Sequence, residues 1–264
     1  MKFLLRFLGF LFAVGTIFFV VGIAATAGLL WHFSKDLPDY SQLKDYEPPV
    51  MTRVHAGDGS LLAEYAKERR LYLPIQAIPK LVINAFVAAE DKNFYQHPGV
   101  DIYGIARAGM LYVENYGSGR RPQGASTITQ QVAKNFLLSN EVSFQRKIKE
   151  ALLALRIERT YSKPKILELY LNEIYLGFGA YGVAAASLLY FDKSVHELTI
   201  AEAAYLAALP KGPNNYNPFR RHDAAVERRN YVIDRMAEDG YITSRPAGLR
   251  GPLWMSLAQP KFTE

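Results

Sequence analysis

Residues 124–134 read Gly-Ala-Ser-Thr-Ile-Thr-Gln-Gln-Val-Ala-Lys, and a helix starts inside them. Thr127 followed three residues later by Gln130 has the pattern of a capping box, in which hydroxyl and amide satisfy the free N–H groups of a first turn. A helix begun there carries Thr127, Gln131 and Lys134 on one face, four and then three residues apart. Free N–H groups with a Lys one or two turns on suit an anionic ligand such as a phosphate, although the same spacing also describes a plain helix cap. Arg120 and Arg121 lie just upstream.

On one side stands Glu90-Asp91-Lys92-Asn93-Phe94-Tyr95-Gln96-His97-Pro98-Gly99. It closes an apolar helix that opens near Pro79 and sets Val82, Phe86 and Ala89 on one face. The negative end of the helix dipole and partial burial both raise the pKa of Glu90 toward the range of a general base. The same residues also read as an exposed terminal acid followed by a Pro-Gly turn, with His97 a turn residue. On the other side, Ser143 to Thr160 is an amphipathic helix carrying Ile148, Leu152, Leu155 and Ile157. Its Arg146 and Glu150 are four apart. That spacing fits a solvated pair worth about 0.3–0.5 kcal/mol. It equally fits Glu150 as the second carboxylate of a glycosyl-transfer site. Helices are predicted over Lys165 to Tyr175, Leu198 to Leu209 and Asp223 to Asp239, with Gly177, Gly179 and Gly182 in a loop. The Leu and Tyr spacing of 167–179 reads as core packing. Residues 207–214 read first as a helix stop and second as a cleft wall. The only clear strand signals are two short runs between Thr52 and Tyr65 around Gly57-Asp58-Gly59.

The chain has 264 residues, with 31 Lys and Arg against 25 Asp and Glu and a net charge of +6. Half the residues are hydrophobic, which excludes a disordered chain. There is no Cys, so disulfides, Cys-ligated zinc, iron–sulfur clusters and thiol nucleophiles are excluded. The basic pI near 9.3 favours an acidic partner. After Lys2 and Arg6, residues 7–31 hold no charge. A bilayer-crossing helix needs about 20 apolar residues, whereas a signal-peptide core has about 7–15. The run is read as a retained anchor, with Ala25-Thr26-Ala27 as the alternative cleavage site. The positive-inside rule puts residues 1–6 in the cytoplasm and everything beyond His32 outside. Residues 32–50 read as a linker, 51–243 as the main, mostly α domain, and 244–264 as an irregular tail.

Taken in order, these segments resemble glycosyltransferase family 51, the peptidoglycan glycosyltransferases. Residues 90–99 match E-D-x-x-F-x-x-H-x-G and 124–134 match G-x-S-T-I-T-Q-Q-x-x-K, with Ala125 where Gly is common. Residues 146–150 match R-K-x-x-E, and 165–179 match the I-L-E-x-Y-L-N block. Anchor, linker and hairpin look most like the N-terminal part of a class A penicillin-binding protein of the 1A type. The resemblance implies a mainly α, lysozyme-like domain behind a single transmembrane helix and a short β-hairpin, on the outer face of the cytoplasmic membrane. It implies polymerisation of lipid II into β-1,4 glycan with inversion and release of polyprenyl pyrophosphate. Glu90 would be the general base and Glu150 its partner near the pyrophosphate, directly or by way of Mg or Mn; no covalent cofactor is implied. Asp91, Phe94, His97, Gly99, Ser126, Thr127, Gln130, Gln131, Lys134, Asn135, Arg146 and Lys147 would bind substrate. The apolar stretch from Ile102 to Val113 would dip into lipid headgroups. Expected partners are lipid II, the growing lipid-linked glycan, the membrane and other wall-synthesis proteins, but no nucleic acid.

Two departures stand out. Val142 occupies a position that is Arg in many members. Class A proteins continue into a transpeptidase domain where this sequence stops, and the tail after Thr243 no longer resembles the family; Ser41-Gln42-Leu43-Lys44 matches S-x-x-K without S-D-N or K-T-G and reads as chance, so no transpeptidase activity is expected here. The chain is therefore expected to be a truncated or frame-shifted product of a longer gene. The competing readings are a membrane-anchored glycan hydrolase and a non-catalytic module for anionic lipid.

Overall fold

The computed structural model describes residues 2–44, 46, 52–58, 61–65, 68–114, 126–138, 141 and 143–243. Val142, Arg120, Arg121, Gly124, Ala125, Gly59 and the tail from 244 lie outside the described residues. The protein opens with α1 (Lys2–Ser34), whose segment Arg6–Ser34 is long and apolar enough to cross a membrane and makes no buried core. Two strands follow, β1 (Thr52–His55) and β2 (Leu61–Tyr65), paired antiparallel with Thr52 opposite Tyr65 and an irregularity between Val54 and His55. This is the predicted hairpin. β3 (Arg69–Arg70) then runs parallel to β4 (Ala180–Tyr181), a pairing that two-residue strands do not announce in sequence.

The helical body consists of α2 (Lys80–Glu90), α3 (Ile102–Glu114), α4 (Ile128–Leu137), α5 (Phe144–Thr160), α6 (Lys163–Glu173), α7 (Val183–Phe191), α8 (Ile200–Ala208) and α9 (His222–Glu238). α2, α8 and α9 pack against one another, and α4 packs against both α5 and α6. Small side chains make that possible. Ala203, Ala204, Ala207 and Ala208 are fully buried, so neighbouring helices approach α8 closely, while Tyr205 fills the remaining space. α2 contributes Val82 and Phe86, both wholly buried, each worth about 1.5–3 kcal/mol of transfer free energy. Helix starts follow local chemistry: Ser143 Oγ accepts the Arg146 N–H, and Thr199 forms a full capping box with Glu202.

Three expectations are corrected. Residues 32–50 are not a free linker where they are described. α1 runs on to Ser34, Leu43 is completely buried in the core, and Tyr46 Oη donates to Glu173 Oε2 at 2.6 Å. One Leu and one Tyr dock the segment, a tertiary effect invisible in a Pro-rich stretch. The face of α5 is also rotated: Leu153, Ala154 and Ile157 are buried with Glu150, while Ile148, Leu152 and Leu155 are half-buried. α5 is packed on two sides, by α4 and by the end of α1, so it shows no single apolar stripe. Finally, α7 (Val-Ala-Ala-Ala-Ser-Leu-Leu-Tyr-Phe) was not anticipated, because a helix apolar all round has no period to detect.

The core reading of 167–179 holds for Leu167, Leu169, Tyr170 and Leu171. Two polar residues are buried among them. Asn172 pairs with the Leu73 backbone in both directions at 2.8 Å, and Glu168 accepts from Tyr72 Oη at 2.6 Å and the Ile75 N–H at 3.0 Å. They staple the segment leading into α2, which ends at Glu90.

Candidate active site

A cavity of about 720 Å³ opens between the ends of α2, α4 and α5, with α3 and α9 as walls. Glu90 and Glu150, 60 residues apart in the chain, both line it. So do Asp91, Ser126, Thr127, Gln130, Gln131, Lys134, Arg146 and Lys147. Phe94, His97, Gly99 and Asn135 are not among its lining residues. Phe94 is wholly buried under the Lys163 ammonium, 4.3 Å from its ring centre, while Asn135 is exposed elsewhere on α4. The substrate contacts expected of those four are not what the fold gives them.

Glu90 sits in the last turn of α2. Gln131 Nε2 donates to its Oε2 at 2.8 Å, and Arg228 Nη2 lies 3.9 Å from Oε1. Burial pushes the carboxyl above its usual range and neighbouring Asp91 pushes the same way, against the opposing pull of Gln131, Arg228 and Lys211. A carboxylate poised upward and open to a cleft is what a general base requires.

Asp91 turns inward instead. His97 Nε2 approaches its two oxygens at 2.9 and 3.1 Å, and the Ile128 N–H at the start of α4 donates to Oδ2 at 2.9 Å. The Gly99 N–H donates to His97 Nδ1 at 3.1 Å, so this network assigns the neutral imidazole with its proton on Nε2. Thr127 completes the joint. Its hydroxyl donates to Gly99 O at 2.6 Å while accepting the Gln130 N–H, and Gln130 Oε1 accepts the Thr127 N–H at 2.9 Å. The predicted capping box is therefore present, and it ties α4 to the 91–99 loop.

Gly99 is where that loop passes α5. Its φ is +102°, and a Cβ there would stand 2.7 Å from Ala154 O. Gly99→Ala is expected to lower stability by about 2–4 kcal/mol, from a disfavoured backbone plus a clash with backbone rather than with a flexible tip. Denaturant unfolding in detergent measures it; an unchanged midpoint would show the loop free to move.

Glu150 resolves the two readings of its pair with Arg146. It is 2% exposed, with Arg146 Nη1 at 3.0 Å from Oε1 and Lys147 Nζ at 2.6 Å from Oε2. Lys147 also donates to Ser126 Oγ at 2.7 Å. Glu150 is thus a buried carboxylate held between a largely buried Arg146 and a half-exposed Lys147 at the cleft, not half of a solvated surface pair. Arg146 Nε, itself buried, has no hydrogen-bond partner among the described residues. Lys134 is exposed at the rim. As a metal site the triad is poorly suited: both Glu150 oxygens face cations, and the described residues hold no group of three or more His, Asp or Glu able to share an ion.

The far wall was largely missed by sequence reasoning. Arg228 and Arg235, seven residues apart on α9, and Arg107 on α3 line the cavity, as does Lys211 beyond α8. Burial, with Arg228 alongside, holds the Lys211 ammonium below its ordinary pKa. The stop after Ala208 was read second as a cleft wall, and Lys211 is that wall. Nothing in the spacing of α9 marks Arg228, since an Arg in an amphipathic helix is ordinarily solvated.

A family model described as Transglycosylase matches residues 58–237. Among curated relatives, penicillin-binding protein 1A of Rickettsia felis is 57% identical over 238 residues, 90% of this chain and 30% of that protein. Penicillin-binding protein 1A of Aquifex aeolicus is 54% identical over 209 residues, 79% of this chain and 28% of that one. The Escherichia coli protein of the same name is 44% identical over 241 residues, 91% and 28% respectively. A crystal structure of penicillin-binding protein 1A from Haemophilus influenzae aligns with a TM-score of 0.46 and 28% identity, over 82% of this chain and 22% of that one. The chain spans about 30% of the length of the curated relatives it matches.

Proposed function

The chain belongs to the transglycosylase family, and from that premise we propose that it polymerises lipid II, the disaccharide-peptide monomer carried on a polyprenyl pyrophosphate, into β-1,4-linked glycan. The observation that carries the reading is the shared cavity. A raised carboxyl, Glu90, and the cations Arg146 and Lys147 held by the buried Glu150 open on the same space, with Lys211 and Arg228 behind the former.

The chemistry follows from those positions. Glu90 takes the proton from the acceptor 4-hydroxyl as its oxygen attacks the donor's anomeric carbon from the face opposite the leaving group. The C–O bond to pyrophosphate breaks, the configuration inverts, and the pyrophosphate keeps the bonding electron pair. Arg146 and Lys147, held by Glu150 before the reaction begins, stabilise the charge that develops there, with Lys134 added from the rim. Glu150 holds Arg146 and Lys147 in position rather than touching the sugar. A divalent ion at the pyrophosphate would have to draw its ligands from the substrate. Assays with chelator and with added magnesium or manganese test that separately.

Membrane attachment fits a lipid-borne substrate. α1 is the anchor, with its N-terminus in the cytoplasm and the cavity outside. Arg156 Nη2 donates to Ser34 O at 3.3 Å, so the end of α1 is tied to α5, which carries Arg146 and Glu150. α3 leaves Ile102, Tyr103, Met110 and Val113 exposed, a face suited to the headgroup layer beside the cleft.

Incubating the detergent-purified chain with labelled lipid II tests the reading: glycan polymer is the expected product. Release of short fragments from finished sacculus, with no polymer, would instead favour a hydrolase, for which the pyrophosphate-side cations have no use. Within the same assay Lys134→Ala is expected to raise KM for lipid II on the order of tenfold, with an unchanged unfolding midpoint because Lys134 is exposed. An unaltered KM would remove Lys134 from the donor side.

A further inference from the structure

Tyr170, in the middle of α6, is 1% exposed, and its hydroxyl is buried with no hydrogen-bond partner among the described residues. The ring is held edge-on against Phe86, 6.2 Å between centroids, one helical turn before Glu90 on α2. The charges acting on the hydroxyl are the carboxylates of Glu90 and Asp91. Asp91 is saturated, by His97 and by the Ile128 N–H. Glu90 is not. Its Oε2 accepts from Gln131, but its Oε1 has only Arg228 at 3.9 Å among the described residues. A buried donor without an acceptor thus packs one helical turn from Glu90, whose Oε1 faces the cleft with no described side chain within hydrogen-bond distance of it. Buried phenols are ordinarily hydrogen-bonded, because an orphaned hydroxyl forfeits its hydration without return.

We propose that Tyr170 is a positioning residue for Glu90, donating its hydroxyl to Oε1 of the ionised carboxylate after a small rotation of that side chain or across one bridging water. This deepens the proposed function and rests on it for the catalytic consequence only. The phenol stays protonated throughout, since burial and the two carboxylates hold its own ionisation far above neutral pH. Donation to the charged form favours that form, so Tyr170 acts alongside Gln131, Arg228 and Lys211 and against Asp91 and burial. It fixes which way Glu90 points and keeps it ionised at working pH.

Tyr170→Phe removes one oxygen and little volume. In the full chain in detergent, the acidic limb of the lipid II polymerisation profile is expected to move to higher pH. The rate on that limb should fall about 5–10-fold, with the plateau rate kept within about twofold. A second measurement needs no turnover. With the Glu carboxyl carbons labelled by carbon-13, the resonance lost in Glu90→Gln reports Glu90, and its titration midpoint is expected to rise in Tyr170→Phe. An unmoved midpoint overturns the inference, as does a variant that is more stable than the parent at neutral pH, the signature of a hydroxyl that was truly orphaned. If the midpoint moves but the unmodified chain makes no polymer, the contact stands and the proposed function falls.

Discussion

Glu90→Gln is expected to cut lipid II polymerisation at least about a thousandfold while leaving KM near its starting value. A neutral amide keeps the shape and can still face Gln131, but it cannot take the proton of the attacking hydroxyl. The same substitution should make the protein more stable at neutral pH. Burial raises the pKa of Glu90 in the fold, so the folded state prefers the protonated acid. Below the unfolded-state pKa the carboxyl is neutral in both states and the substitution changes little. As pH rises through the folded-state pKa the ionised group becomes a liability that Gln lacks. The gap in thermal midpoint between variant and parent therefore opens from acid toward neutral pH. A dead enzyme with a lowered midpoint at pH 7 would mean that Glu90 holds the fold together, and its assignment as the base would have to go.

That contrast bears on what could be read before any coordinates. Local signals were legible: the Thr127–Gln130 box, the two paired strands between Thr52 and Tyr65 and the end of α2 at Glu90 depend on nearby residues. The convergence of residues 90 and 150 came from resemblance, since no local rule brings α2 and α5 together. Burial decided what spacing left open. Arg146 and Glu150 at four apart are a weak pair on a wet surface and a held triad in a cleft, and only packing distinguishes them. Leu43 and Tyr46 were opaque for the same reason, their roles being tertiary, while α7 hid because it is apolar all round and shows no period. Arg228 and Tyr170 are the sharpest cases. Each looks like an ordinary helix residue until α9 is seen to bring Arg228 to 3.9 Å from Glu90 and α6 to set Tyr170 against Phe86, one turn before it.

Asp91→Ala is expected to behave in the opposite way from the neighbouring variant, with stability falling by about 3–5 kcal/mol and activity falling along with it. Asp91 is 7% exposed and serves two donors on two separate segments, His97 in the 91–99 loop and the first N–H of α4. Truncation leaves the His97 Nε2–H and the Ile128 N–H without acceptors, each costing about 1–3 kcal/mol. It also removes a negative charge from a helix N-terminus, worth about 0.3–1 kcal/mol or more when partly buried. Asp91→Asn keeps one oxygen as an acceptor but puts an NH₂ against one of the two donors, so it should lose roughly half as much. The sign of this ordering matters because Asp91 also lines the cleft. If it touched substrate, Asp91→Ala would be inactive without any lowering of its denaturation midpoint, as Glu90→Gln is expected to be. If it is the bolt between the loop and α4, activity and midpoint fall together, and stabilising the fold with osmolyte restores part of the rate. Loss of activity at full stability, without osmolyte rescue, would move Asp91 from the scaffold into the chemistry.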